Sequence, residues 1–176
     1  MPITPDTKNW TWVLEKPCPE CGYDADTFTA KDVADMIRRD IAVWPGVLER
    51  ANVRERPNDS TWSPLEYAAH VRDVYRIYDY RLHLMLENDD PDFENWDQDA
   101  TAVEEKYNEQ DPATVATELT VAGETLADSF DQVPDDAWQR KGRRSDGAGF
   151  TIETFAKYFI HDSIHHVWDV TLRDGR

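Results

Sequence analysis

Cysteine is nearly absent from this 176-residue chain: Cys18 and Cys21, both in "PCPECG", are all there is. So few thiols in one short stretch exclude a disulfide framework. Positive charge is also in short supply, with 19 Lys and Arg against 36 Asp and Glu and a formal net charge of −17. A surface that negative repels phosphate backbones and anionic lipid headgroups, which argues against nucleic-acid and membrane partners. The acidity reads as solubility, suited to a salty cytoplasm. No apolar run approaches the roughly 18 residues of a membrane helix, and "MPITPDTKNW" has neither the basic nor the apolar segment of a signal peptide, so the expected location is cytoplasmic. What is present is a core: hydrophobic content of 40%, with seven Trp, seven Tyr and six Phe, marks a folded protein. The length suits one domain.

Residues 1–28 hold Pro2, Pro5, Pro17 and Pro19 and read as an extended N-terminal arm; residues 29–176 read as the domain. In "TAKD", Thr29 and Asp32 form a capping box, and Val33, Met36, Ile37, Ile41, Trp44 and Leu48 follow at helical spacing until Pro45 interrupts. "SPLE" is a stronger start, with Ser63 at the N-cap, Pro64 at the first helical position and Glu66 three beyond the cap; the helix should run to about Glu87. An acidic connection over residues 88–110, with room for one short helix, is pinned by Phe93 and Trp96. A third helix opens at Asp111-Pro112, with Val115, Leu119, Ala122, Leu126 and Phe130 as its stripe. "RKGRRSDGAGF" reads as loop, and a fourth helix starts near Thr151. The fold class is all-α: a four-helix bundle with one long crossover connection.

Three of the five histidines crowd into "FIHDSIHHVWDV". On a helix, His161 and His165 are four apart and share a face, the spacing at which one helix offers two imidazoles to one metal ion. His166 is rotated by about 100° and reads as packing. "HDSIH" imitates the zincin H-E-x-x-H motif with Asp162 in place of the glutamate, but a metzincin third histidine would fall on Thr171, so that reading is weak. A third ligand must come from another helix. His70, mid-way along the second helix, suits the role better than His83, which lies about 20 Å further along the axis.

"WSPLEYAAHVRDV" (62–74) followed by "FIHDSIHHVWDV" (159–170) resembles the DinB-like superfamily, which includes the mycothiol-dependent maleylpyruvate isomerases. The similarity covers about residues 30–172 and implies a divalent metal, Zn²⁺ or Ni²⁺, held inside a four-helix bundle. The positions it implies as ligands are His70, His161 and His165. The arm with Cys18 and Cys21 departs from the family's common core and reads as an incidental pair, half of a second zinc site, or a metal shared with another chain.

The chemistry such a metal suits is lowering the pKa of a bound water or thiol. The resemblance implies thiol-dependent transfer or isomerisation first, with mycothiol or bacillithiol as the thiol. Metal-dependent hydrolysis is second, and a non-enzymatic structural or stress-response bundle, a homodimer among its forms, is third. Asp73, Asp162 and Asp169 are candidates for acid–base help or for support of the ligands. Arg140, Arg143 and Arg144 stand out against the acidic background and are candidates to receive an anionic substrate or cofactor, or to pair with acidic loops.

Overall fold

The computed structural model describes Ile3 and residues 9–172; Pro2 and Pro5 of the arm, and residues 173–176 of the expected domain, lie outside the described residues. Four helices make the body: α1 (Val33–Ile41), α3 (Pro64–Glu87), α5 (Pro112–Asp131) and α6 (Ile152–Thr171), with the short α2 (Trp44–Leu48) after α1 and α4 (Gln98–Glu104) in the acidic connection. α1 packs on α5 and α6, and α3 packs on the same two. Consecutive helices α1 and α3 therefore face each other across the bundle, as do α5 and α6.

Local chemistry sets the helix starts. Ser63 Oγ accepts from the Glu66 amide, and the Glu66 carboxylate accepts from the Ser63 amide at 2.9 Å, closing a capping box beneath the Pro64 start of α3. Glu66 is buried, and the Arg56 guanidinium offsets its charge through two hydrogen bonds. Asp111 accepts from Thr114 at the head of α5, and Thr151 accepts from Thr154 at the head of α6. The Thr29–Asp32 box opens a 3-10 turn that runs into α1, and the helix stops at Ile41, ahead of Pro45. The stripe Val115, Leu119, Ala122, Leu126 and Phe130 is buried throughout.

Two expectations change. "RKGRRSDGAGF" is a hairpin, β2 (Lys141–Arg144) against β3 (Gly149–Thr151), with β1 (Asp92–Phe93) parallel to β2. Gly142 is needed there because a Cβ would sit 2.8 Å from Met85 Cγ, and Gly147 takes φ +97° at the turn. The arm is not extended through its described part. Trp10–Leu14 and Ala25–Thr27 are 3-10 turns, and Val13, Cys18 and Tyr23 are buried in the core.

Candidate metal centre

α6 carries two pairs at four-residue spacing, not one. His161 and His165 share a face; Asp162 and His166 share the next, about 100° around the axis. Packing decides which pair meets α3. Among the described residues, two sets of metal-ligating atoms converge to within 4.8 Å: His70 with Asp162 and His166, and Cys18 and Cys21 with His161 and His165. The set expected from sequence, His70 with His161 and His165, is thus divided between them. α3 faces the 162/166 side of α6, and the arm covers the 161/165 side.

In the first cluster His70 Nε2 lies 3.4 Å from Asp162 Oδ1, and His166 Nε2 lies 3.7 Å from Asp162 Oδ2. Ligand atoms placed tetrahedrally at 2.0–2.2 Å from one ion stand roughly 3.4 Å apart, so these separations suit a shared cation. Nδ1 of His70 is buried without a hydrogen-bond partner, and the facing atoms His70 Nε2 and Asp162 Oδ1 are buried with no partner but each other. Such atoms carry a desolvation cost that a bound ion would remove. Burial works against the Asp162 charge, yet positive charge on the His166 and His70 rings beside it, a charge that a bound cation would supply in their place, holds the carboxyl well below the usual carboxylate range. The donor set therefore fits a divalent ion.

The rings are held in place. His70 stacks on Trp96 with centroids 5.3 Å apart and 4° between planes, and Trp62 lies 5.2 Å away on a tilt. Trp96, expected only to pin the acidic connection, is thus part of the casing. Tyr67, one turn before His70, lies against the His166 ring. Asp169 Oδ2 is 2.9 Å from Nδ1 of His166.

Asp162, His166 and Asp169 line one pocket of about 320 Å³, whose aromatic walls include Trp10, Trp62 and Tyr158. His161 and His165 reach the same pocket from the other cluster. Burial pushes the His161 pKa down to about 4, and burial with the neighbouring His166 lowers that of His165, so both are neutral at pH 7. Burial also pushes the Cys21 thiol up to about 12, which removes the low-pKa thiolate that a redox pair needs.

The remaining candidates are occupied elsewhere. Asp73 pairs with Arg72 and Arg76 and accepts from the Tyr107 hydroxyl. Arg140 donates to the Met85 and Asn88 carbonyls, Arg143 pairs with Asp90 and Asp92, and Arg144 is bidentate on Asp146. None of Asp73, Arg140, Arg143 and Arg144 lines the pocket. His83 pairs with Asp79 and Glu87. His166, expected to be a packing residue, stands instead beside Asp162 and His70. Its signal was present in Asp162-x-x-x-His166, which has the spacing of His161 and His165.

A family model described as DinB superfamily matches residues 24–170, and the chain belongs to that superfamily. No curated protein sequence matches it. Among solved structures, a similar fold is that of YfiT from Bacillus subtilis, described as a probable metal-dependent hydrolase with an unusual four-helix bundle topology. Its TM-score is 0.63 at 16% identity, over 99% of this chain and 94% of that one. No described helix is long and apolar enough to cross a membrane.

Proposed function

We propose that this member of the DinB superfamily is a metal-dependent hydrolase acting on a small neutral or cationic substrate, with its ion held by His70, Asp162 and His166. The observation that carries the reading is the convergence of three ligand groups beside a pocket, with His70 Nε2 and Asp162 Oδ1 buried, 3.4 Å apart and partnered only by each other. A divalent ion on two imidazoles and a carboxylate supplies Lewis acidity and lowers the pKa of a coordinated water or thiol. Zn²⁺ and Ni²⁺ both suit such ligands.

The chain's own groups do the rest. Asp169 fixes the His166 tautomer, so that Nε2 faces Asp162. Trp96 stacks on the His70 ring and Trp62 lies tilted against it, which holds the ring in place. Glu20, Asp99 and Asp169 make the pocket acidic, which repels anionic substrates and favours neutral or cationic ones. Trp10, Trp62 and Tyr158 offer apolar faces for an acyl or aryl group. At about 320 Å³ the pocket is at the small end for ligand sites, which suits one substrate and a water better than a substrate with a bulky thiol.

Thiol-dependent transfer is the competing reading, supported by the family resemblance. The test is metal analysis of the purified chain and of His70→Ala and Asp162→Ala, with turnover measured on small aryl esters and amides, with and without mycothiol, bacillithiol or glutathione. The expected result is chelator-sensitive hydrolysis in the parent, restored by Zn²⁺ or Ni²⁺, with metal and turnover lost in both variants. Turnover only with a thiol would replace the hydrolytic reading. Full metal content at this centre in both variants would remove the site itself.

A further inference from the structure

We propose that Cys18, Cys21, His161 and His165 form a second, four-ligand zinc site that fastens the N-terminal arm to α6. The cysteine pair lies before residue 24, where the superfamily match begins, so two of the four ligands come from outside the matched region. Its ligand atoms all lie within 4.8 Å of one another. Cys18 Sγ is 3.8 Å from His165 Nδ1. Tetrahedral zinc with sulfur at about 2.3 Å and nitrogen at about 2.0–2.1 Å separates such a pair by roughly 3.6 Å. The spacings, Cys-x-x-Cys and His-x-x-x-His, are those with which a turn and a helix each give two ligands to one ion.

The turn is shaped for the purpose. The Cys18 amide donates to the Tyr23 carbonyl at 2.8 Å, and the Gly22 amide donates to the Cys18 carbonyl at 3.0 Å, so Cys18 and Cys21 come together on one knuckle. Gly22, at φ +76°, makes that reversal possible. On the helix side, His161 is 5% exposed and its Nε2 has no hydrogen-bond partner. A buried imidazole nitrogen without a hydrogen-bond partner beside two thiols is an independent sign of a cation-binding position. Both cysteines are free, and Cys18 is buried.

Four protein ligands close the coordination sphere, so the ion is structural, and two thiolates balance its charge. Binding releases the two thiol protons. What it secures is a wall of the pocket: Trp10 lies 5.4 Å from both His161 and His165, and Trp10 and Glu20 line the cavity beside Asp162 and His166. The arm thus becomes part of the site by means of a metal rather than of apolar packing alone.

The test is Co²⁺ titration of the metal-free full chain, read by thiolate-to-cobalt charge-transfer absorption, together with zinc analysis. That absorption reports only a cysteine-ligated ion and is indifferent to the fate of the His70 centre. The expected result is about two zinc per chain in the parent and about one in Cys18→Ser, with the charge-transfer band strong in the parent and in His70→Ala. Cys21→Ser, at a half-buried position, serves if Cys18→Ser fails to fold. The parent titration needs no variant at all. Absence of the band in the parent would overturn the proposal, as would a band of unchanged affinity in His165→Ala, or a Cys18–Cys21 disulfide in protein purified with its other metal in place.

Discussion

Nδ1 of His166 lies 2.9 Å from Oδ2 of Asp169, three residues further along α6. An ionised carboxylate can only accept, so the imidazole N–H sits on Nδ1. In the neutral ring this leaves the lone pair of Nε2 directed toward the Asp162 carboxylate, 3.7 Å away. A cation between them would accept a lone pair from each.

Asp169→Asn should therefore lower metal affinity at the His70 centre by about 10- to 100-fold while leaving the fold intact. Competition against a chromophoric chelator measures this. Unchanged affinity would deny Asp169 its positioning role.

Removing metal should lower the melting temperature. A ligand present at 100 times its Kd stabilises by about 2.7 kcal/mol, which for a chain of this size is on the order of 5–10 °C. Calorimetry before and after chelation, and again with zinc restored, checks the size and the reversibility. Equal melting temperatures would show that no ion is bound preferentially by the folded state.

Asp40 accepts from Ser163 Oγ at 2.7 Å, and Ser163 is bonded in turn to the Tyr75 hydroxyl, which joins α1, α6 and α3. Burial pushes the Asp40 pKa up to about 6, against the pull of the Ser163 bond. A raised carboxyl binds its proton more tightly when folded, so its contribution is present at low pH and is lost as pH rises from about 4 to 6. Asp40→Asn should flatten that segment of the stability profile. At pH 7 it should be the more stable protein relative to the pH 4 comparison, by roughly 1–2 kcal/mol. Urea midpoints at pH 4, 5, 6 and 7 decide it; a constant offset across the series would contradict the sign.

Gly123 sits where α5 meets α1 and α3. A Cβ there would stand 2.5 Å from Ile41 Cδ1 and 2.9 Å from Tyr75 Cε2. Gly123→Ala gains helix propensity of at most about 1 kcal/mol but overpacks a dense core, at a cost of about 1–3 kcal/mol. Net destabilisation is expected in chemical unfolding. A more stable variant would mean that Ile41 and Tyr75 have room to move aside.

The helices could be read from the chain because their signals are local. Ser63, Pro64 and Glu66 act within one turn, and so do Asp111 and Pro112; the structure starts α3 and α5 at those prolines. The hairpin at Lys141–Thr151 could not be read this way. Its strands are short and glycine-rich, and what specifies them is the fit of Gly142 against Met85 and Phe93, some 50 residues away in the chain. Trp96 was legible as an anchor, but its place against His70 was not, since nothing within the acidic connection records which ring it meets.

By itself the sequence determined the four helices and the presentation of metal-ligating side chains by α6 at four-residue spacing, because caps, periodicity and spacing are properties of neighbouring residues. Only the tertiary structure decided how those side chains are grouped. One residue of offset turns a side chain by about 100°, and the rotation of α6 relative to α3 and the arm is set by packing across the whole bundle. That rotation gives Asp162 and His166 to His70, and leaves His161 and His165 to Cys18 and Cys21.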